Sequence, residues 1–547
     1  AEIFEKELGV PVSHDVGEIM KVVRKYLRPI FLNADIGMTG ANVGIAENGA
    51  IVIETNEGNA RLVSSIPDVH ICVMGTEKIV DSVDDAVMML MAHPISAVGQ
   101  HTTTYVTMQA GRSPLGDGNG REPRETHIII LDNGRSEMAK DPLFSDALNC
   151  IRCGACMNIC PTYGVVGGHT FGHIYPGPIG IPWTSEVHGL EHAGNFAPLC
   201  ISCGLCKEIC PAEIDIPMMI AGVKDRDSEV HPHPRVNKLL MDAERAAKMG
   251  SAFAPLSNWA MHIRPFRWMM EKAIGIDRRR ELPPFRRNTL AKRMNKRKPN
   301  STLAPRHRVA FFSDIFANYN NPDLGMAAVE HLEKLGCEVI YPKQQASGYP
   351  SIGYGDLKGA KRIAEENVKL MKGWVDQGYS VVTTEPTAAY CFKKSYPKLL
   401  VGAASKEAYE VGEKTFEFFE YVEMLEDAED YSDTLFEGKD FGFHIPCHQR
   451  PLGAGGGAMK FLERRGAKVE IVETGTCCGM AGTFGLKAGN LGYNLANAVG
   501  EPLFEGFKES GCEAIVTESS VCSIHLTEGT DMTVWHPLDL VMSTAKC

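Results

Sequence analysis

Eight of the 17 cysteines lie in two compact runs that share one spacing. Each run reads C-x2-C-x2-C-x3-C-P, and the runs extend from Cys150 to Pro161 and from Cys200 to Pro211. Thiolates at this spacing bind paired [4Fe–4S] clusters, with the fourth cysteine of each run reaching the other cluster. The runs therefore predict two clusters with crossed ligation, the first bound by Cys150, Cys153, Cys156 and Cys210 and the second by Cys200, Cys203, Cys206 and Cys160.

The alternative for these runs is a pair of structural zinc sites. Structural zinc sites bind four ligands drawn from two separated knuckles, whereas here four cysteines stand in one run. The pattern therefore favours iron–sulfur clusters, which carry single electrons.

A third group of cysteines comprises Cys447, the adjacent pair Cys477 and Cys478, and Cys522. Soft thiolate ligands on loops at one edge of an α/β layer predict a third iron–sulfur cluster, of the [4Fe–4S] type. We expect these loops to be exposed and the cluster to be the terminal exchange point for electrons. A redox-active vicinal disulfide and a set of buried, inert thiols are the alternatives.

Two further patterns permit a functional and a structural interpretation. Residues 453–458 fit G-x-G-x-x-A before a helix, but six residues from Cys447 to Leu452 separate them from the preceding strand. The glycines are therefore better explained as the start of a helix that lets loops approach the cluster closely than as a dinucleotide site.

His169 and His173 follow the first run, where they would hydrogen-bond to sulfur, accompany a proton or simply pack.

Length and composition bound the class of protein. A chain of 547 residues is too long for a single core, so several domains are expected. Charged residues make up 23%, no apolar run is long enough for a membrane span, and no secretion signal stands at the start. Clustered cysteines indicate a reducing compartment. We therefore expect a cytoplasmic protein, with peripheral binding to the inner face of the membrane as an option.

Hydrophobic periodicity predicts a multidomain α/β architecture. Strand patterns such as 50–53, 70–74 and 127–131 alternate with helical ones over residues 1–140, whereas residues 141–250 are expected to be mainly helical. After residue 308 the pattern repeats at a spacing of roughly 130 residues, which predicts two α/β halves, 308–435 and 436–547. In the first half the positions equivalent to the third cysteine group are Ile315, Ala346, Ser347 and a residue near Ala388, so we expect no matching cluster there.

Residues 251–307 are expected to form a basic, amphipathic linker. The stretch from Arg278 to Arg308 holds 12 Lys and Arg residues against the single acid Glu281, although the chain as a whole carries a charge of −12. Apolar residues between Trp259 and Met270 precede this stretch. We predict that the segment docks on a partner subunit or an anionic membrane surface. Nucleic acid is not expected, because no recognition motif accompanies the charge.

Residues 31 to about 222 contain long motifs that resemble the iron–sulfur subunit of the lactate-utilisation complex, a LUD domain followed by a two-cluster ferredoxin-like segment. The matching stretches are 39–42, 55–61, 99–105, 131–135, 150–156 and 175–180. In that family the LUD domain begins before the residue equivalent to Ala1, so the front of the domain is expected to be missing.

Residues 308–547 are similar to the cysteine-rich (CCG) domain of heterodisulfide-reductase-B-like proteins and of the C subunit of anaerobic glycerol-3-phosphate dehydrogenase. Residues 316–322 and 477–485 carry this similarity. The family motif ends in C-x-x-C, but Ser519 stands at the first of these positions. The resemblance therefore implies a four-thiolate cluster rather than the non-cubane cluster of heterodisulfide reductase.

Together these resemblances imply an electron-transfer subunit of a flavin- or quinone-linked dehydrogenase complex. The chain would relay electrons without binding the organic substrate, since no flavin fingerprint is visible, and a flavoprotein partner would oxidise lactate or another 2-hydroxy acid. Contact with other complex subunits or a quinone reductase is also expected. The alternatives are a thiol–disulfide reductase, in which the C-terminal cluster attacks a disulfide, and a ligand-binding or sensor protein built on the LUD domain.

Overall fold

The computed structural model describes residues 1–111, 124–297, 305–426, 434–453, 455–472 and 477–544. The chain forms two compact units, one of residues 1–155 with 210–214 and one of residues 156–209 with 215–547.

The first unit combines helices with two small sheets. Its helices are α1 (Glu2–Leu8), α2 (Val16–Asn33), α3 (Asn59–Ser65), α4 (Val83–Val98) and α5 (Arg135–Met138). Its strands are β1 (Ile36–Thr39), β2 (Val43–Ile45), β3 (Ala50–Thr55), β4 (Val69–Gly75), β5 (Ile79–Val80), β6 (Tyr105–Gln109) and β7 (Glu125–Leu131). One sheet is parallel with the order β1-β4-β7, and the other is mixed with the order β5-β2-β3-β6. This arrangement confirms the predicted α/β architecture.

The segment that carries most of the cysteine runs is helical. Helix α6 (Ala155–Ile159) begins at the edge of the first unit, and seven helices follow in the second: α7 (Pro161–Thr170), α8 (Gly177–Val187), α9 (Leu190–Phe196), α10 (Leu205–Glu208), α11 (Ile216–Val230), α12 (Arg235–Met241) and α13 (Ala243–Ala252). Helix α11 begins at Asp215, whose side chain accepts a hydrogen bond from the backbone N–H of Met218. This is an N-cap, which stabilises a helix start by about 1 kcal/mol.

The basic segment, expected to be an amphipathic linker, is largely folded in its described part. It contains α14 (Leu256–His262), α15 (Arg264–Ile274) and α16 (Leu290–Lys296). The buried Arg280 pairs with Glu528, and Arg267 donates to the carbonyl oxygens of Asp277 and Arg280. Other pairs within the chain are Arg279–Asp277, Arg293–Asp323 and Arg297–Glu333. Much of the positive charge is thus compensated within the chain.

The remainder of the second unit contains two α/β halves. The first half contains β8 (His307–Phe312), α17 (Pro322–Lys334), β9 (Cys337–Ile340), α18 (Tyr349–Tyr354), α19 (Leu357–Val375), β10 (Ser380–Thr383), α20 (Pro386–Tyr390), α21 (Tyr396–Leu399), α22 (Gly402–Glu413), β11 (Thr415–Glu417) and α23 (Phe418–Leu425). The second contains β12 (Asp440–Phe443), α24 (Gly456–Glu463), β13 (Lys468–Ile471), α25 (Leu495–Ser510), β14 (Ala514–Val516), α26 (Ser520–Thr530), β15 (Val534–Trp535) and α27 (Pro537–Thr544).

The two halves share one sheet topology. Numbered within each half, the four parallel strands lie in the order second, first, third, fourth. One hydrophobic core joins the halves and includes Phe311 and Phe419 from the first and Phe443 and Phe461 from the second. Each such buried side chain contributes roughly 1.5–3 kcal/mol. The predicted duplicated α/β domain is therefore confirmed.

Among the described residues, no helix combines the length and the apolar character needed to cross a membrane.

Candidate metal centres

The two cysteine runs have the same local backbone conformation. Arg152 and Ser202, each two residues after the first cysteine of a run, have φ values of 66° and 56°, and Gly154 and Gly204 follow with φ values of 79° and 83°. Such left-handed turns direct successive backbone N–H groups into a concavity that binds anions. The N–H of Ser202 accordingly lies 3.4 Å from Cys200 Sγ. The turns therefore fit sulfur-rich anionic clusters.

In the first unit, the thiol of Cys150 interacts electrostatically with the thiols of Cys153 and Cys210. Burial raises the pKa of Cys150, and the guanidinium of Arg152 partly opposes this effect. The structure thus places Cys210, the last cysteine of the second run, with members of the first run. This is the placement that crossed ligation requires, and ligation itself stays a prediction.

In the second unit, Cys160 lies with the second run. The thiol of Cys203 interacts with those of Cys160 and Cys200, and the thiol of Cys206 interacts with those of Cys203, Cys200, Cys160 and Cys156. Burial raises the pKa of Cys203 and Cys206 well above the ordinary thiol value. A buried thiolate is stabilised when it binds a cation, so these thiols fit a metal cluster.

The third cysteine group gathers at one end of the second parallel sheet. Cys447 follows β12, Cys477 and Cys478 follow β13, and Cys522 lies in the first turn of α26 after β14. The carboxyl ends of parallel strands meet at one edge, where ligands commonly bind. Hydrogen bonds link the four thiols in the order Cys447, Cys477, Cys478, Cys522. The sequence-predicted set is therefore brought together.

The predicted exposure of this group is wrong. Cys477 and Cys478 are 2% exposed and Cys522 is 8% exposed. Helix α25 covers the cysteine pair so closely that a Cβ atom on Gly479 would lie 2.0 Å from the carbonyl oxygen of Ala496. The N–H of Gly479 also lies 3.3 Å from Cys477 Sγ. The site is thus an enclosed group of free thiols with a backbone donor.

Sequence reasoning missed His444, which directly follows β12. Its ring offers a ligand atom that lies, with the thiol sulfurs of Cys478 and Cys522, in a group within 4.8 Å of one another. Burial, followed by the charge of Arg450, lowers the pKa of His444 to about 3, so the imidazole is neutral. The available signal was a polar residue at the end of a buried strand, three positions before Cys447.

The second cysteine run lies directly beside the third group. The thiol of Cys203 interacts with that of Cys447, and the thiol of Cys477 interacts with that of Cys203. Tyr349 donates to the carbonyl oxygen of Ser202 at 2.7 Å, and its ring lies 4.3 Å from that of His448. Lys224 also donates to the carbonyl oxygens of Cys200 and Gly353, each at 2.8 Å. The two candidate centres therefore share a packed and hydrogen-bonded boundary.

The equivalent region of the first half is a hydrogen-bonded oxygen network. Ser347 donates to Asp314, and Ser313 shares a hydrogen bond of 2.6 Å with Tyr341. Tyr396 donates to the carbonyl oxygen of Ser347 at 2.7 Å. The absence of a matching cluster in this half stays a prediction.

The glycine-rich motif at 453–458 and His173 after the first run have contacts that fit a packing role. Gly453 ends a short helical turn, Ala454 lies outside the described residues, and a Cβ on Gly457 would lie 2.7 Å from the carbonyl oxygen of Phe419. This glycine thus permits close packing of α24. The ring of His173 stacks on that of His192 at 4.8 Å and meets that of His188 edge-on at 5.1 Å, so packing against other histidines is its described contact.

The first unit contains a cavity of about 490 Å³. The cavity is lined by residues of the LUD-like motifs 39–42 and 55–61, including Thr39, Asn42 and Asn59. Glu54 also lines the cavity, and its carboxylate lies 2.8 Å from His93 Nδ1.

Three family models match separate parts of the chain. Residues 1–131 match the LUD domain, residues 146–214 the 4Fe-4S dicluster domain and residues 441–527 the cysteine-rich (CCG) domain. These matches confirm both resemblances found in the sequence, since the first of them combines the LUD domain with the dicluster segment. They support binding of iron–sulfur clusters and an electron-transfer role.

Among curated proteins, the chain is similar to lactate utilization protein B. It is 45% identical over 190 residues to that protein of Shouchella clausii, covering 35% of this chain and 39% of the relative. It is 44% identical over 190 residues to that of Geobacillus thermodenitrificans, with the same coverage of 35% and 39%. The chain thus spans about two fifths of the length of these relatives.

Two solved structures have weaker likeness. A DUF162 family protein from Deinococcus radiodurans is 30% identical with a TM-score of 0.14, covering 18% of this chain and 55% of its own. A hypothetical protein from Helicobacter pylori is 10% identical with a TM-score of 0.35, covering 79% of each chain. Neither score supports a comparison of folds.

Proposed function

We propose that this chain is the iron–sulfur relay subunit of a flavin- or quinone-linked dehydrogenase complex. The observation that carries the proposal is the interaction of Cys203 with both Cys447 and Cys477, because it makes two candidate centres neighbours. When bound, [4Fe–4S] clusters accept and donate single electrons. A route of this kind uses the ferredoxin-like segment as its interior and the C-terminal group as its end.

Three ligand sets belong to the proposal. Cys150, Cys153, Cys156 and Cys210 hold the first cluster, Cys200, Cys203, Cys206 and Cys160 hold the second, and the third group includes Cys447, Cys477, Cys478 and Cys522. The N–H groups of Ser202 and Gly479 donate to thiol sulfurs. Burial of the thiols excludes water, and both effects tune the potential of a bound cluster.

The substrate is proposed to be lactate or another 2-hydroxy acid, oxidised in a partner flavoprotein. The support is the similarity over 190 residues to proteins whose name includes lactate utilization. The direction of electron flow that fits this role is from the flavoprotein through the ferredoxin-like segment to the third group.

A partner contact is proposed at helices α14 and α15. Trp259 is 64% exposed and Trp268 is 52% exposed, and the neighbouring Met269 is exposed as well. Large exposed apolar and aromatic side chains are enriched at interfaces between proteins. Since many basic residues of this segment are already ion-paired, the tryptophans provide the stronger support for docking.

The test of the relay is anaerobic reconstitution followed by iron and sulfide analysis and by EPR during reductive titration. We expect three clusters, with about 12 iron atoms per chain in total, and each cluster should accept one electron. Cys477→Ser with Cys478→Ser should remove one cluster and stop electron delivery to an external acceptor. Cys512→Ser, outside the three groups, is the matched control. A double variant that keeps full electron delivery would contradict the relay.

The cavity of the first unit supports a second candidate function, binding of a small ligand by the LUD-like domain. Its lining offers amide and hydroxyl groups and the acid Glu54. Equilibrium dialysis of the full chain against lactate and acyl-carrying compounds tests this candidate, with Glu54→Gln as the variant. By contrast, the burial of Cys477, Cys478 and Cys522 disfavours direct attack on a disulfide substrate.

A further inference from the structure

A buried imidazole faces the third cysteine group without a hydrogen-bond partner at one ring nitrogen. His444 is 2% exposed, and its Nε2 has no hydrogen-bond partner among the residues that the structure describes. Buried polar atoms in folded proteins are nearly always paired, and leaving one unpaired costs about 1–3 kcal/mol. An unpaired nitrogen beside a candidate metal centre therefore indicates that the imidazole binds the metal.

The geometry gives the His444 ring two neighbours of suitable chemistry. A ring nitrogen of His444 and the sulfurs of Cys478 and Cys522 all lie within 4.8 Å of one another. The three residues come from different segments, the end of β12, the loop after β13 and the start of α26. Such a group surrounds a point between the segments, which is how a metal centre is bound in a folded protein.

The chemistry of the donors matches iron. Imidazole nitrogen and thiolate sulfur both bind iron, and mixed histidine and cysteine ligation occurs in iron–sulfur proteins. Replacing a thiolate by a neutral imidazole removes one negative charge from the site. The reduced state, which carries the added electron, is then less disfavoured, so the reduction potential rises.

We propose that His444 is a nitrogen ligand of the third cluster, acting with Cys478 and Cys522. This inference depends on the proposed third cluster and puts the imidazole in the place of one of the four thiolates of that group. A histidine ligand makes the third centre the best electron acceptor of the three, because the other two have thiolates alone. Electrons entering the ferredoxin-like segment would therefore collect at this site.

The test begins with the unmodified chain, so it does not depend on a variant that folds. Protein with ¹⁵N-labelled histidine is reconstituted anaerobically, reduced stepwise and studied by pulsed EPR at the potential of each cluster. We expect strong nitrogen coupling on one cluster and on no other, and that cluster should be reduced first.

Variants assign the coupling to His444. His444→Cys should keep the iron of the third cluster but lose the nitrogen coupling and lower its potential. His444→Ala should lose about four of about 12 iron atoms. Ser519→Cys in the His444→Ala background should restore them, because the Ser519 side chain already lies beside Cys522, 3.4 Å from its backbone nitrogen. His536→Asn, another buried histidine of this half, is the control and should leave the coupling unchanged.

Two outcomes overturn the inference in different ways. A third cluster that lacks nitrogen coupling in the unmodified chain, or coupling that persists in His444→Cys, rejects His444 as a ligand and leaves the relay intact. Reconstituted protein with only two clusters rejects both the inference and the third centre of the proposed function.

Discussion

His448 Nε2 donates a hydrogen bond to the carbonyl oxygen of Ser202 at 3.2 Å, which ties the residue after Cys447 to the residue before Cys203. Because a carbonyl oxygen only accepts, Nε2 carries the proton, and Nδ1 accepts from the hydroxyl of Thr387 at 3.0 Å. The imidazole also stacks on Tyr390, with ring centroids 4.9 Å apart. One side chain thus joins the ferredoxin-like segment to both α/β halves.

Replacing His448 by Leu should weaken this junction. The change removes two hydrogen bonds and leaves the Thr387 hydroxyl without its His448 partner, whereas the Ser202 carbonyl keeps its bond from Tyr349. The free energy of unfolding should fall by about 1–3 kcal/mol. Electron transfer from the second to the third cluster should also slow. Denaturant titration and stopped-flow reduction measure the two effects. The exposed His231→Leu serves as control, and equal rates in both variants would exclude a role for the junction.

Replacing Cys160 by Ala should disturb the second cluster rather than the first. The thiol of Cys160 interacts with those of Cys200, Cys203 and Cys206. EPR should therefore show an altered signal from the cluster held by the second run. Replacing Cys210 by Ala should affect the other cluster, and identical spectra from the two variants would contradict crossed ligation.

The stability of the second unit should decrease as pH rises toward 8. Burial, with the nearby acids Asp314 and Glu518, raises the pKa of Glu385 to about 8 from an ordinary value of 4.5, although a hydrogen bond from Ser520 opposes the shift. Between these values the folded state keeps a proton that the unfolded state has lost. The free energy of unfolding then falls with pH by up to about 1.4 kcal/mol per unit for this group.

Glu385→Gln removes this titration and should flatten the pH dependence. Burial lowers the pKa of His536 to about 4 from 6.5, which has the opposite effect below pH 6.5 because the unfolded histidine gains a proton first. Burial also lowers the pKa of Lys487 to about 7, which opposes the Glu385 effect above pH 7 in both proteins. The Glu385 effect is therefore the difference in slope between the two proteins from about pH 6.5 to pH 8. Denaturant titrations across that range, with the exposed Glu407→Gln as control, measure it. Equal slopes in the variant and the unmodified chain would show that Glu385 is ionised.

Replacing Trp259 and Trp268 together by Ser should weaken binding to the proposed partner flavoprotein. Truncating an interfacial tryptophan commonly costs about 2 kcal/mol or more, so the Kd should rise at least about tenfold. Val401→Ser, at another exposed apolar residue, is the control. If the exposed Arg286 and Arg287 bind the partner instead, the Arg286→Ala, Arg287→Ala double variant should lose more affinity than the tryptophan variant. Binding by the unmodified chain would then also weaken strongly with added salt.

Local patterns in the sequence were sufficient to predict the cysteine groups and the duplicated halves. Cys477 and Cys478 follow a strand, and the same strand order in both halves reflects a repeat that is visible in the residues. The position of His444 after a buried strand was a signal, but it could not assign the residue to the third cysteine group, because only folding brings His444 to Cys478 and Cys522.

The basic segment and the enclosure of the third group show the same limit. Arg280 pairs with Glu528, which lies 248 residues further along the chain. The sequence around Arg280 therefore does not show that its charge is paired. Likewise, no local pattern near Cys478 indicates that α25 would cover it. Contacts of this kind depend on tertiary packing, which composition and periodicity do not specify.

The contact of Gly479 with Ala496 provides a criterion for sorting related sequences. Gly479 has a φ of 83°, and any side chain there would displace the backbone of α25. A relative that keeps both adjacent cysteines but has a larger residue at the next position must position that helix differently. Its cysteine pair would then lie nearer to water. The residue at the position of Gly479 therefore distinguishes enclosed sites from open ones among related sequences.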